Sequence, residues 1–219
     1  MIQITRTGTV VDSTPAELSA LRVEFHRRNF LQFTNFVEPQ LLEFFLSRIE
    51  IAPFAVGTDE GIGSEDCMND AVTAGSLVLL TNDRRLHEVI EQVTGCERIG
   101  SFQGRVYRMV PGAGHSDSWH DDLTDTRVAA LSVNLSREPY SGGDLQIRRR
   151  SSGQILECIR NAELGRAALF RLSRELEHCV APVEGRLPRT AFAGWFKSQP
   201  DFQSVTKQRL SAIRSSAHG

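Results

Sequence analysis

The chain predicts an α+β fold in which helices come first and a barrel or jelly-roll sandwich of short strands follows. Two observations carry this. Over the first ninety-odd residues apolar side chains recur at helical spacing, and from about residue 97 seven short β-rich segments are separated by turn residues at fairly regular intervals. In a sandwich or barrel each strand pairs with strands distant in sequence, so residues far apart in the chain can meet at one site.

The first helix is announced by Thr14-Pro15-Ala16-Glu17, a capping box with proline at the first helical position, followed by Leu18, Leu21 and Phe25 on one face. A short apolar piece, FLQFTNF, precedes EPQLLEFFLSRI, whose Leu41, Leu42, Phe45 and Leu46 share a helical stripe. DRRLHEVIEQVTG repeats the arrangement and closes at Gly95, a natural C-cap. Between them GTDEGIGSEDCMND, residues 57–70, is acidic and glycine-rich and predicts a mobile loop that can fold over a site. The β-rich segments are SFQGRVYRMV, RVAALSVNL, GGDLQIRR, GQILECIR, GRAALFRL, EHCVAPV and RTAFAGWF. The last nineteen residues grow polar, which predicts a frayed tail.

At 219 residues with no Pro/Ser/Gly-rich linker, the chain reads as one domain, 1–219: a helical support to about residue 96, a β core over about 97–198 and a tail over about 200–219. A net charge of -2 supplies no general basic field for nucleic acid or anionic lipid. Cys67, Cys96, Cys158 and Cys179 are scattered without a CxxC pair, as expected of reduced thiols in a cytosolic protein. The N-terminus lacks a basic segment followed by an apolar run, and no stretch approaches the ~18 apolar residues of a membrane span. A soluble, cytoplasmic protein is expected.

Of the six histidines, His26 and His87 fall within helical patterns and His218 is next to the C-terminus, positions that packed or solvated histidines explain. The others are richer in chemistry. GHSDSWHDD holds His-x-Asp twice, His115/Asp117 and His120/Asp122, and two side chains two apart on an extended chain share a face. Either pair can grip a metal, and His178 begins a β-like segment several strands later. Two imidazoles and one carboxylate on one side of a metal form the facial triad of non-haem Fe(II) oxygenases, with open positions for a bidentate co-substrate and dioxygen. The bare pattern recurs by chance, so another feature has to support it. That feature is RTAFAGWF, where alternation puts Arg189 on one face with Ala191, Ala193 and Trp195. An arginine aimed into a small-walled cavity suits a bidentate pair with a carboxylate.

The run VPGAGHSDSWHDD, then RVAALSVNLS, GGDLQIR and HCVAPVEGRLPRTAFAGWF, resembles the 2-oxoglutarate and Fe(II)-dependent oxygenases, particularly their prolyl-4-hydroxylase-like branch. The likeness is strong over about 97–198 and looser before it. It implies a double-stranded β-helix, a jelly-roll, cupin-like core with N-terminal flanking helices. In the family the metal histidine follows a Pro-Gly turn at about the interval from Gly112 to His120, so the resemblance implies His120, Asp122 and His178 as iron ligands and leaves His115 and Asp117 as loop residues at the rim. It assigns Arg189 to the distal carboxylate of 2-oxoglutarate, with Arg186 the runner-up. Where relatives often place a tyrosine for the co-substrate, this chain offers Asn134; Tyr107 and Arg108 are further candidates for co-substrate or substrate contact. Relatives that halogenate lack the carboxylate, so Asp122 implies hydroxylation or another oxidation.

The implied function is a dioxygenase using Fe(II), 2-oxoglutarate and O2, hydroxylating a C–H bond of a small-molecule, amino-acid or natural-product substrate with release of succinate and CO2. The alternatives are a peptidyl prolyl hydroxylase-like enzyme, a cupin-like metalloprotein that needs no Arg189, and a non-catalytic module in which the triad is a relic. The acidic loop and the run Arg148-Arg149-Arg150 can each meet an oppositely charged substrate, or simply face solvent.

Overall fold

The computed structural model describes residues 1–59, 62–124 and 126–207. A hairpin of β1 (Ile2–Thr5) and β2 (Gly8–Val11) precedes α1 (Pro15–Arg28). The capping box closes as expected: the Glu17 amide donates to Thr14 Oγ1 (3.2 Å) and the Thr14 amide to the Glu17 carboxylate (2.7 Å). The helix ends at Asn29 in the left-handed region (φ 67°), which asparagine tolerates. The FLQF piece is a strand, β3 (Phe30–Phe33), and α2 (Pro39–Ile51) buries Leu41, Leu42, Phe45, Leu46 and Ile49.

The stretch expected to be a mobile loop is instead a hairpin, β4 (Phe54–Asp59) and β5 (Gly63–Met68), with residues 60 and 61 at its tip outside the described residues. No apolar alternation marks it, because its order comes from backbone pairing rather than burial. Then follow α3 (Ala71–Thr81), capped by Asp70, and α4 (Arg84–Thr94), closed by Gly95 at φ 70°. All seven β-rich segments hold strands: β6 (Ser101–Met109), β8 (Arg127–Asn134), β10 (Leu145–Arg149), β11 (Ile155–Ile159), β12 (Ala167–Arg171), β13 (Leu176–Val180) and β15 (Arg189–Lys197). Short pieces β7 (Ser116–Asp117), β9 (Ser141–Gly142) and β14 (Val183–Glu184) complete the set. Residues 202–207 are helical rather than frayed, and the rest of the expected tail lies outside the described residues.

The main antiparallel sheet runs β3-β12-β8-β15-β6-β5-β4, with β7 on β5, and a smaller sheet β11-β10-β13 faces it. This curled half-barrel is the jelly roll the sequence predicts. The first ninety-odd residues are thus more than helical support, since β3, β4 and β5 belong to the main sheet. Period-two alternation sorts each strand. On β15, Phe192 and Phe196 join Phe102 and the helices in the principal core, where each such side chain contributes about 1.5–3 kcal/mol on burial. On β8 and β12, Ala130, Ala168 and Phe170 turn the other way, against Leu145 and Ile147 of the small sheet. The space left between the sheets holds the candidate site. Among the described residues no helix is long and apolar enough to cross a membrane.

Candidate active site

His120 and His178 are locked together by their own backbones. The amide of His120 donates to the carbonyl of His178 (3.1 Å) and the reverse bond is 2.8 Å, an isolated antiparallel bridge that brings the rings to 4.3 Å between centroids. Phe170 packs its ring against His178 at 4.8 Å. The HSDSWHDD run is not one continuous strand, so Asp122 reaches the histidines by a different route from simple alternation. It sits at φ 58°, a left-handed conformation open to aspartate, and its Oδ2 lies 3.2 Å from His178 Nε2 and 3.5 Å from His120 Nε2. One donor atom from each residue falls within 4.8 Å of the other two. Asp121 turns away, accepting from the Leu123 amide and pairing with Arg150 at 2.7 Å.

The surroundings fit this set to a divalent metal. His120 Nδ1 lies 2.7 Å from the Ser118 carbonyl, which can only accept, so Nδ1 carries a proton and Nε2 of the neutral ring presents its lone pair to the site. Trp195 donates its indole N–H to Asp122 Oδ2 (2.6 Å), and Arg127 donates to Oδ1 (2.9 Å). Burial would raise the Asp122 carboxyl, but the two imidazoles and the indole hold it far below the usual carboxylate range. Burial likewise opposes the charge of His120, yet Asp122, the Ser118 carbonyl and Asp117 push it up to about 9. A cation bound between these groups would replace that proton.

The triad opens into a cavity of about 230 Å³ that also contains Tyr107, Ser132 and Arg189. Arg189 is 3% exposed; its guanidinium donates to the Tyr107 hydroxyl and to Ser132 Oγ (3.3 Å). Among the described residues no carboxylate lies within ion-pair distance of it. A buried guanidinium without a counter-charge is costly, and an anion entering the cavity would supply one. Burial holds Tyr107 above its ordinary range, a neutral hydroxyl able to donate to the same anion.

The other candidates divide. Asn134 is buried on β8, accepting from the Ser136 amide, with its Nδ2 unpartnered, and does not line the cavity. Arg108, next to Tyr107 on β6, faces the opposite side: it donates to Thr190 Oγ1 (3.2 Å), stacks on Phe54 and lines a separate cavity with Leu46 and Glu50. Arg186 is exposed. His115 has a side chain only 4% exposed, and its Nδ1 accepts from the Val110 amide (2.9 Å), fixing the Pro-Gly turn. Asp117, read as a rim residue, lines the cavity: Oδ2 accepts from the Val180 amide (2.7 Å) and Oδ1 lies 3.5 Å from His120 Nδ1. Arg127 was not anticipated, because strand alternation gives no sign that a residue at a strand's first position reaches back to the preceding turn. The basic run is engaged elsewhere, Arg148 on Glu177 and Trp119, Arg150 on Asp121 and Glu177.

Residues 102–197 match the model of the 2OG-Fe(II) oxygenase superfamily. No curated protein matches the chain. Among solved structures it is similar to a Pseudomonas putida prolyl-4-hydroxylase at 18% identity, covering 83% of this chain and 99% of that one with a TM-score of 0.63. It is also similar to a Trichoplax adhaerens prolyl hydroxylase in complex with a hypoxia inducible factor peptide fragment, at 17% identity, covering 85% and 94%, TM-score 0.55. A third is the epimerase SnoN bound to Fe3+, alpha ketoglutarate and nogalamycin RO, at 12% identity, covering 84% of each chain, TM-score 0.64. At these identities the likenesses establish fold. The chain thus has a prolyl-4-hydroxylase-like fold, and its residues 102–197, which carry the His-Asp-His cluster, are similar to the 2OG-Fe(II) oxygenase superfamily. That superfamily is named for its use of 2-oxoglutarate and Fe(II).

Proposed function

We propose that His120, Asp122 and His178 hold Fe(II), that Arg189 with Tyr107 and Ser132 binds the distal carboxylate of 2-oxoglutarate, and that the enzyme hydroxylates a C–H bond of a small molecule. The observation that carries this is one cavity containing both a triad of metal donors and a buried arginine that, among the described residues, has no carboxylate within ion-pair distance. Bound iron supplies the means to couple dioxygen reduction to decarboxylation of 2-oxoglutarate and oxidation of the substrate. The chain's own residues prepare for that. Ser118 holds the His120 tautomer, and the His120–His178 backbone bridge sets the spacing of the two imidazoles. Arg189 and Tyr107 orient the co-substrate, while Phe170, Leu145, Val180 and Ala193 supply apolar wall beside the metal donors and limit water there. A cavity volume of about 230 Å³ favours a compact substrate.

A peptidyl substrate is the second reading. A groove of about 280 Å³ between the β4–β5 hairpin and β7 shares Ile62, Glu65, Arg105 and Asp117 with the cavity, and an extended chain laid there would reach the triad. The test is succinate formation from 2-oxoglutarate with Fe(II) and O2, in the presence of free amino acids or short peptides. Arg189→Met is expected to weaken 2-oxoglutarate by about 2–5 kcal/mol, the loss of one partner of a buried charge pair, with metal affinity retained. Full activity of Arg189→Met without 2-oxoglutarate would instead favour a cupin-like metalloenzyme.

A further inference from the structure

The carboxylate of Asp122 is gripped from two sides by residues of the rigid sheet. Arg127 Nη1 reaches both Oδ1 (2.9 Å) and the main-chain carbonyl (3.0 Å) of Asp122, so a single guanidinium nitrogen ties the side chain to its own left-handed backbone. The same guanidinium lies 3.7 Å over the ring of Trp195, whose N–H takes the other carboxylate oxygen, Oδ2. Asp122, Arg127 and Trp195 thus form a closed ring of contacts. Arg127 opens β8 and Trp195 lies on β15, adjacent strands of the main sheet, whereas Asp122 stands outside any strand. The ring fastens an irregular segment to the sheet.

We propose that Arg127 and Trp195 are positioning residues that hold Asp122 as a one-oxygen metal ligand, Arg127 occupying Oδ1 while the indole N–H aims Oδ2 at the two imidazoles. The inference rests on the triad being the metal site. Its reason is the coordination count. An unconstrained carboxylate can bind a metal through one oxygen or both; two-oxygen binding would consume a position that a facial triad must leave for the two donors of the co-substrate and for dioxygen. A guanidinium bonded to Oδ1 removes that option. Hydrogen-bond partners of metal ligands generally tune affinity as well as orientation, and here one of them is stacked on the other, so removing either loosens both.

The test uses the full chain with Co(II) alone, without co-substrate, reading affinity by competition with a chelator and coordination by the visible absorption spectrum. Arg127→Met keeps an apolar stem on the indole and removes both bonds to Asp122; Trp195→Phe keeps the ring and removes only the N–H. Wild type is expected to bind one Co(II) with the weak spectrum of a six-coordinate site. Arg127→Met should bind about 10–100-fold more weakly with an altered spectrum, Arg127→Lys should recover part of the affinity, and Trp195→Phe should lose about tenfold, one charge-assisted hydrogen bond. A merely structural role would lower the melting temperature but leave the Co(II) spectrum unchanged. Wild-type affinity and spectrum in both Arg127→Met and Trp195→Phe would overturn the clamp, and Trp195→Phe alone decides if Arg127→Met does not fold. Failure of wild type to bind Co(II) would overturn the triad reading itself.

Discussion

Two His-x-Asp pairs stand five residues apart, and the structure gives them different work. His120 and Asp122 lie against His178 at the cavity, while His115 is packed beneath the Pro-Gly turn with its Nδ1 on the Val110 amide. Replacing His115 by alanine leaves that half-buried amide without its acceptor, which costs about 1 kcal/mol. Thermal unfolding of His115→Ala should therefore show a lowered midpoint while metal binding persists; loss of the metal site without loss of stability would reverse the two roles. The thiols divide by the same logic. Burial pushes Cys179 up to about 12, whereas Cys158 is exposed. A raised thiol pKa means less thiolate at a given pH, so at pH 8 iodoacetamide should modify Cys158 well before Cys179 in the folded protein, as peptide mapping would show. Equal labelling of the two would contradict the burial of Cys179 on β13.

The β4–β5 hairpin shows why some elements cannot be read from sequence and still matter. Its composition resembles a loop because glycine and acidic residues give no apolar alternation, and its order comes from ladders to β6 and β7. Gly63 pairs with Asp117 across a gap so close that an added Cβ would lie 2.1 Å from the Ser116 carbonyl. Gly63→Ala should break the β5–β7 pairing, at a cost of about 1–3 kcal/mol for overpacking, and increase hydrogen exchange at the Ser118 amide, which bonds the Ile62 carbonyl. Unchanged protection of Ser118 would show that the hairpin does not roof the site through β7. By contrast, the seven core strands and three of the helices were legible in advance, since alternation, capping boxes and C-terminal glycines are local signals of structures that tertiary packing then reinforces. Helix α3 was not, because AVTAGSLVLLT is apolar on every side and offers no periodic face.

At the scale of the whole molecule, the site is the space between two sheets, the larger of which has its outer face committed to the helices. Phe102, Phe192 and Phe196 fasten the main sheet to the helices, leaving Arg189, Ala193 and Trp195 on the opposite face of β15 to line the cavity. The alternation that revealed Arg189 in the sequence is the same alternation that excludes its neighbour Thr190 and, on β6, separates Tyr107 from Arg108. What alternation does not encode is contact between a turn and a sheet, which is why Arg127, and the place of Asp117 in the cavity wall rather than at the rim, emerged only with the fold. The most direct test of the co-located triad and arginine is an anaerobic titration of the metal-free protein with Fe(II) and 2-oxoglutarate, following the visible charge-transfer band of a chelated keto acid. The band should form in wild type and in His115→Ala and be lost in His120→Ala. No band in wild type, or one that survives in His120→Ala, would contradict the assignment of the site.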